Sequence, residues 1–354
     1  MRSSPETRGI GVVLQMPGLY GPRQPLPLRA RPLPGESTGS FVNRLAHANG
    51  LGLADFLQRV GQATGSSSSD AARVAKYPRY TEMYVNGPGL DYLAVLAGEP
   101  AAVLRRSLPS LAPHHLLPGD ADADAVWKWP WQPSEGRLVR YCTECAEARG
   151  VREPAWWLIP DSWRLCARHG RWCNDSRTEP LDGLSLKELP EVVDAHLKRC
   201  RLYKQFGRSG EELFADAFQV AVDWWRSMPR VLRWVHRAWA CGLEDRSARV
   251  MPLVIYPEAA QLAQLMVEFE QSDVRDTGAA SLWLGRAEAL MESWELDVQA
   301  GRVPLLDWLH RHRAPTNPET QPASGHRRTR LPLAPGHRRL ASPTGPLEQR
   351  SCLS

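Results

Sequence analysis

RYCTECAEARG (residues 140–150) and WRLCARHGRWC (residues 163–173) carry four potential metal ligands in the middle of this chain. Cys142 and Cys145 form a Cys-x2-Cys pair, Cys166 and His169 form a Cys-x2-His pair, and 20 residues separate the pairs. Zn²⁺ takes four such ligands at the corners of a tetrahedron, and each short turn supplies two corners. Because four protein ligands leave no position for water, the pattern predicts one structural zinc ion.

Two questions about this region stay open at the level of the sequence. Cys173 lies four residues after His169 and is an alternative fourth ligand, although the x2 spacing favours His169. The residues between the pairs, from Trp156 through Pro160-Asp161 to Leu165, predict a β-hairpin that leads the chain back to the second ligand pair. We therefore expect a zinc-ribbon-like module over residues 137–176. The alternative is a set of buried cysteines without a metal.

The composition on either side of this module is that of a globular protein. The chain has 354 residues, of which 43% are hydrophobic and 23% charged, which allows for two or three domains. No apolar run approaches the roughly 20 residues that span a bilayer, and the N-terminal GIGVVL is too short for a signal peptide. We expect a cytoplasmic, nucleoid-associated protein with no membrane partner.

The net charge of +5 is concentrated at the C-terminal end. From Arg311 onward there are eight arginines and two acids, a formal charge of +6, so that the rest of the chain is close to −1. The segment 313–354 is rich in Pro, Arg and His without periodicity and is predicted to be a disordered basic tail.

The N-terminal third predicts an extended arm followed by helical hairpins. Residues 1–35 are rich in Pro, Gly and Arg, and residues 36–125 predict a helix-turn-helix-like domain. Its first helix is capped by Ser37 or Ser40 and ends at Asn49-Gly50, and its second helix runs from about residue 53 to 61. The triplets that fit helix-turn-helix spacing, a small residue, a turn glycine and an apolar residue, are Ala46, Gly50 and Phe56, and again Ala94, Gly98 and Leu104.

This spacing permits two interpretations. A hairpin that only packs against its neighbours has the same pattern as one that reads DNA. If the first hairpin reads DNA, its second helix presents Gln58, Arg59 and Gln62, which suit base-edge and phosphate contacts. Arg44 in the first helix is a further candidate contact. Asp55 on the same helix weakens binding to the DNA backbone, so that affinity from this module alone should be low.

The remaining patterns are structural. Residues 180–312 repeatedly place apolar residues three and four apart and predict a C-terminal helical domain. The WKWPW stretch places Trp127, Trp129 and Trp131 at every second position, either to pin the zinc module or to form a stacking platform for bases. The chain lacks a P-loop, a G-x-S-x-G elbow and an H-E-x-x-H motif, so no enzyme, catalytic residue or organic cofactor is expected.

These features together resemble the TniQ family of transposition proteins. The residues that carry the resemblance lie between about 30 and 175: LPGESTGSFVNRLAHANGL (33–51), YLAVLAGEPAAVLRRSL (92–108) and RYCTEC…WWLIPDSWRLCARHG (140–170). Family members share a Pro-x-x-Glu-Ser opening, a Leu-Ala-x-Leu-x-Gly helix pair and a Cys-x2-Cys…Cys-x2-His module in this order. The fold class that we expect is mainly α.

The resemblance implies a non-catalytic adaptor that binds DNA and helps to choose the target site of transposition. Its implied partners are an AAA+ ATPase regulator and, through it, a transposase, and a homodimer is compatible with this role. Two other functions are compatible with the same residues: a stand-alone DNA-binding transcription regulator, and a protein-binding scaffold without DNA contact.

Overall fold

The computed structural model of the protein describes residues 21–64, 82–120, 122–129, 136–175, 183–228, 231–245, 247, 249–272 and 277–313. The first 20 residues of the predicted arm and the predicted tail from residue 314 onward lie outside these ranges. The chain divides into two compact units. The first takes in the described residues up to Leu138 together with Ala155–Pro160, and the second takes in Val139–Pro154 and the described residues from Asp161 on. The finer limits 36–125, 137–176 and 180–312 stay predictions.

Within these ranges the fold is mainly helical, which confirms the expected fold class. The α-helices are α1 (Thr38–Ala48), α2 (Leu53–Val60), α3 (Gly87–Ala97), α4 (Ala101–Ser107), α5 (Thr143–Glu147), α6 (Pro190–Phe206), α7 (Arg208–Ser227), α8 (Leu232–Ala240), α9 (Met251–Gln271), α10 (Thr277–Ser293) and α11 (Val298–Arg313). The strands are β1 (Gln62–Ala63), β2 (Tyr84–Val85), β3 (Val126–Lys128), β4 (Arg137–Arg140), β5 (Trp156–Ile159), β6 (Trp163–Cys166), β7 (Arg171–Asn174) and β8 (Leu184–Ser185). No helix among the described residues is long and apolar enough to cross a bilayer.

Two helical hairpins, α1–α2 and α3–α4, form the first unit. The Ser37 side chain accepts a hydrogen bond from the Ser40 N–H (3.0 Å) and caps α1, as its sequence predicts. The turn glycines Gly50 (φ 65°) and Gly98 (φ 64°) both adopt the left-handed conformation that favours glycine.

A small mixed sheet completes the core of this unit. β3 lies between β1, to which it is parallel, and β2, to which it is antiparallel. Trp127 and Trp129 are buried in this core, and the Trp127 Nε1–H donates to the Gly61 carbonyl oxygen (3.0 Å). Both interpretations of the WKWPW stretch are therefore wrong for these two residues, because the central strand turns them into the hairpin core. Trp131 lies outside the described residues.

The second unit packs α6 to α11 around one apolar core, in which α7 and α9 are in extensive contact. Large aromatic side chains fill it, among them Trp224, Trp234 and Trp308. The helical character predicted for the C-terminal region is confirmed.

The β-hairpin of the metal-binding region lies one strand later than its sequence predicts. β6 pairs antiparallel with β7, with Trp163 opposite Asn174 and Cys166 opposite Arg171, and β8 pairs with β7. The Pro160-Asp161 stretch is therefore not the hairpin turn. The turn is formed by residues 167–170, where Gly170 (φ 55°) supplies the left-handed conformation that closes a short antiparallel connection.

Candidate metal centre

The first ligand pair is placed by the start of a short helix. Cys142 is the residue immediately before α5, and its carbonyl oxygen accepts a hydrogen bond from the Ala146 N–H (3.0 Å). This turn brings the side chain of Cys145, on α5, next to that of Cys142. The chain leaves the helix at Gly150 (φ 78°), and the Arg149 guanidinium donates to the Cys145 carbonyl oxygen (3.1 Å).

The second pair is placed by the β6–β7 hairpin. Cys166 is the last residue of β6, and His169 lies in the turn that leads to β7. A salt bridge also joins the elements that carry the two pairs, since Arg171 Nε on β7 donates to Glu144 Oε1 on α5 (2.8 Å). Arg171 Nη1 donates in addition to the Gly183 carbonyl oxygen (3.2 Å). The spacing of the cysteines gave no sign of this link between α5 and β7.

Cys142, Cys145, Cys166 and His169 bring their donor atoms within 4.8 Å of one another, with the three cysteines buried and His169 half-buried. The Sγ atoms of Cys145 and Cys166 are 3.6 Å apart, and His169 Nδ1 is 3.2–3.6 Å from the three sulfur atoms. A tetrahedron with Zn–S bonds of about 2.3 Å and a Zn–N bond of about 2.0 Å has S···S edges of about 3.8 Å and S···N edges of about 3.5 Å. The donor atoms therefore have the chemistry and the spacing to hold one tetrahedral ion.

Hydrogen bonds within the cluster favour a thiolate at one sulfur atom. The thiols of Cys142 and Cys145 both lower the pKa of Cys166 far below its ordinary range. In return, hydrogen bonding with Cys145 and Cys166 raises the pKa of Cys142. Metal ligation requires deprotonated cysteines, so that a site of this kind releases protons when it binds its ion.

Cys173 is not a member of the cluster. It is fully buried on β7 opposite Arg164, two strand positions beyond the pair formed by Cys166 and Arg171. The pKa of the Cys173 thiol is raised well above its ordinary value, mainly because the side chain is buried. The structure therefore groups His169, and not Cys173, with the three other cysteines.

The β6–β7 hairpin has two faces with different partners. Neighbouring residues along a strand point to opposite faces, so that Cys166 lies on one face and Trp163, Leu165 and Trp172 lie on the other. These three side chains are buried in the apolar core of the helices of the second unit. Trp163 and Trp172 stack with ring centroids 4.4 Å apart. The ligand pair is thus built on a strand pair that also belongs to the helical core.

The candidate DNA contacts do not all lie where a DNA surface requires them. Gln58 and Arg59 on α2 are exposed, as is Gln62 on β1, whereas Phe56, Leu57 and Val60 form the buried face of α2. Arg44 is only 4% exposed, and its Nε and Nη2 atoms donate to the two carboxylate oxygens of Glu36 (2.9 and 2.7 Å). Assigning Arg44 to a DNA surface is therefore a misinterpretation, because a buried carboxylate already binds its guanidinium.

Comparison with known proteins bears on the same part of the chain. No curated protein and no solved structure matches it. The model of the TniQ family matches residues 27–172, a segment that includes α1 to α5, both helical hairpins and all four residues of the Cys₃His cluster. The chain thus carries, over about two-fifths of its length, a segment that matches the TniQ family.

Proposed function

We propose that this protein is a non-catalytic adaptor of DNA transposition, which binds DNA and recruits transposition partners to the target site. The observation that carries the proposal is the TniQ match over residues 27–172, because this family is associated with the transposition machinery. The partners that we propose are an AAA+ ATPase regulator and a transposase, with the protein acting as a single chain or as a homodimer. Its place in the cell is then the cytoplasm, at the nucleoid.

We further propose that the Cys₃His cluster holds Zn²⁺. Three thiolates and one imidazole at tetrahedral spacing suit this ion, and four protein ligands leave no position for a substrate or water. The role of the ion is structural: it fixes α5 against the β6–β7 hairpin.

For DNA contact we propose the exposed face of α2 and the residue that follows it, with Gln58, Arg59 and Gln62 as the contacting side chains. Glutamine suits the edge of adenine and arginine suits guanine or phosphate. The exposure of these residues and the burial of Phe56 on the opposite face support the proposal. Asp55 is exposed on the same helix and weakens attraction to phosphate, so partners should supply much of the binding free energy.

The test is a double variant, Gln58→Ala with Arg59→Ala, in a target-selection assay that contains the ATPase, the transposase and donor DNA. We expect insertion at the target to fall at least tenfold, while circular dichroism, metal content and capture of the ATPase stay unchanged. A matched control, Arg208→Ala with Gln219→Ala on α7, removes the same side-chain types from exposed positions of the second unit.

The outcomes separate the three functions. Normal targeting by the folded double variant would assign the first hairpin to packing alone and would support the scaffold. Binding to a palindromic site without any partner, with half-sites about one helical turn apart, would support a transcription regulator.

A further inference from the structure

Residues 21–35 are the described part of the predicted arm, and "the arm" denotes this segment from here on. They run along both helical hairpins of the first unit. The Leu26 N–H donates to the Leu96 carbonyl oxygen at the end of α3 (2.9 Å). The Leu28 backbone exchanges two hydrogen bonds with the Asn49 side chain at the turn before α2 (2.9 and 2.7 Å). The Gly35 N–H donates to the Ser107 carbonyl oxygen at the end of α4 (2.7 Å). The arm therefore has a fixed path from one hairpin turn to the other.

The buried ion pair of Glu36 and Arg44 fixes the end of this path. Arg44 Nη2 donates to the Arg31 carbonyl oxygen (3.0 Å), and the Leu33 N–H donates to Glu36 Oε2 (3.0 Å). Both partners of the pair are at most 4% exposed. Arg44 thus positions the arm backbone, although its own side chain is out of reach of a ligand.

The arm and α4, which a backbone hydrogen bond joins at Gly35 and Ser107, both present arginine side chains to solvent. Arg29 and Arg31 on the arm and Arg105 and Arg106 at the end of α4 are all exposed. Arg29 lies against the turn between α3 and α4, since a Cβ atom at Gly98 would come within 3.0 Å of its Nε. This is the C-terminal end of α3, where the helix dipole favours a cation.

These four guanidinium groups have no carboxylate within 4.0 Å in the described part of the chain. The arm and α4 contain no acidic residue. The acids of the α3–α4 hairpin are Asp91 on α3 and Glu99 in its turn, and neither forms a salt bridge with the four arginines. Many arginines of the second unit differ in this respect, because carboxylates pair with Arg208, Arg226, Arg286 and Arg302. Arginines held on a fixed backbone without a counter-charge are suited to bind a polyanion.

We infer that Arg29, Arg31, Arg105 and Arg106 form a surface that binds the phosphate backbone of DNA, and that this surface sets the position of α2 on the duplex. The inference rests on the proposed function and assigns the phosphate contacts to elements outside α2. Phosphate contacts fix the register of a protein on DNA, and base contacts give specificity. On α2, Gln58 and Arg59 can contact DNA, but Asp55 repels phosphate. The arm passes the turn before α2 and carries arginines that can bind the phosphates on either side of the bases that α2 contacts.

The test measures binding of the full-length chain to a random-sequence duplex by fluorescence anisotropy between about 50 and 300 mM salt, with and without the ATPase. Affinity falls with salt by a slope of about −0.9 per phosphate contact. The surface variant removes the four arginines of the proposed surface: Arg29→Ala/Arg31→Ala/Arg105→Ala/Arg106→Ala. The matched control removes four exposed arginines of the second unit: Arg208→Ala/Arg226→Ala/Arg286→Ala/Arg302→Ala.

We expect the surface variant to reduce the slope by about 2–4 and to weaken binding at the lowest salt at least tenfold. The control lowers the net charge by the same amount but leaves the surface intact. It should therefore change the slope and the affinity little. Replacing the same four surface arginines by lysine should retain most of the affinity for random-sequence DNA, since either cation neutralises phosphates and releases counterions. Circular dichroism checks that each variant is folded.

Three results would overturn the inference. Equal losses in the surface variant and the control would leave only an effect of net charge, and the proposed function would stand if the Gln58/Arg59 variant still lost targeting. A surface variant that keeps DNA affinity but no longer captures the ATPase would assign the arginines to an acidic protein. Absence of DNA binding by the unmodified chain, alone and with the ATPase, would remove the proposed function as well.

Discussion

Glu82 is a fully buried carboxyl group beside the first turn of α1. Its Oε1 atom accepts hydrogen bonds from the N–H groups of Gly39 (2.9 Å) and Met83 (2.7 Å). Among the described residues, its Oε2 atom has no hydrogen-bond partner. Burial raises the pKa of Glu82 to about 8, although the two backbone N–H groups act in the opposite direction. The folded first unit therefore favours the protonated acid at neutral pH.

This raised pKa makes a prediction for Glu82→Gln. A folded pKa above the ordinary value of 4.5 contributes stability at low pH that is lost as the pH rises toward about 8. Glutamine keeps the acceptor for Gly39 and carries no charge, so the variant should match the unmodified protein near pH 5 and exceed it by roughly 2–4 kcal/mol above pH 8. Urea unfolding at both values measures the difference. An equal advantage at both pH values would show that Glu82 is already ionised in the folded protein.

A second residue-scale prediction concerns the metal ligands. Cys142→Ser leaves three ligands, and structural zinc contributes on the order of 10 kcal/mol of apparent binding free energy in small domains. The purified protein should contain one zinc per chain and the variant well under half, with loss of structure in residues 137–176. Elemental analysis and thermal melting report the two effects. Cys173→Ala is the matched control and should keep its metal; a variant His169→Ala that keeps zinc while Cys173→Ala loses it would reverse the assignment.

At the scale of the element, the last helix is held in place by a polar contact as well as by apolar packing. His312 on α11 places Nδ1 2.7 Å from Glu270 Oε1 on α9 and Nε2 3.3 Å from Asp216 Oδ2 on α7. Trp308, one turn earlier, stacks on the His312 ring and its Nε1–H donates to the same Asp216 oxygen (3.2 Å). Burial disfavours the imidazolium, but the hydrogen bonds to Asp216 and Glu270 outweigh it and raise the pKa of His312 to about 9.

The contribution of this contact should depend on pH. A histidine whose pKa is raised from 6.5 to about 9 contributes its full stabilisation below pH 6.5 and loses it as the pH rises toward 9. His312→Gln should therefore cost roughly 2 kcal/mol at pH 6, less than the full shift implies because Asp216 is partly exposed, and little at pH 9.5. Chemical unfolding of both proteins across this range gives the difference. A constant cost at all pH values would show that His312 acts through packing alone.

Elements also differ in how far their sequence predicts them. The N-cap of α1 and the clustering of Cys142, Cys145, Cys166 and His169 follow from spacing along the chain. The position of the β-hairpin does not follow, because strand pairing is decided by contacts distant in sequence. The same holds for Arg44, whose burial depends on Glu36 folding back onto α1.

At the scale of the whole molecule, charge is unevenly distributed along the chain. Residues from Arg311 onward carry a formal charge of +6, and the remainder is near −1. Long-range attraction of the folded units to DNA is therefore small, and local arrangement of arginines, as on the arm and α4, matters more than net charge.

The tail segment 314–354, which lies outside the described residues, should bind polyanions without sequence preference. Its arginines attract phosphates by counterion release, so that deleting it should weaken DNA binding severalfold at 50 mM salt and have little effect at about 300 mM. Titration of random-sequence duplex with the full and the truncated chain tests this. Equal affinity at low salt would leave the tail only a solubilising role.

The two faces of the β6–β7 hairpin have a consequence for the energetics of metal binding. The strand pair that carries Cys166 also buries Trp163, Leu165 and Trp172 in the helical core. Binding of the proposed zinc ion and formation of the core would therefore be thermodynamically linked. Linkage is reciprocal. The free energy by which the ion would stabilise the helices equals the free energy by which the folded helices would strengthen binding of the ion. An isolated peptide spanning both ligand pairs should consequently hold the ion less tightly than the intact second unit. A mutation deep among the helices can then release the metal without touching a ligand.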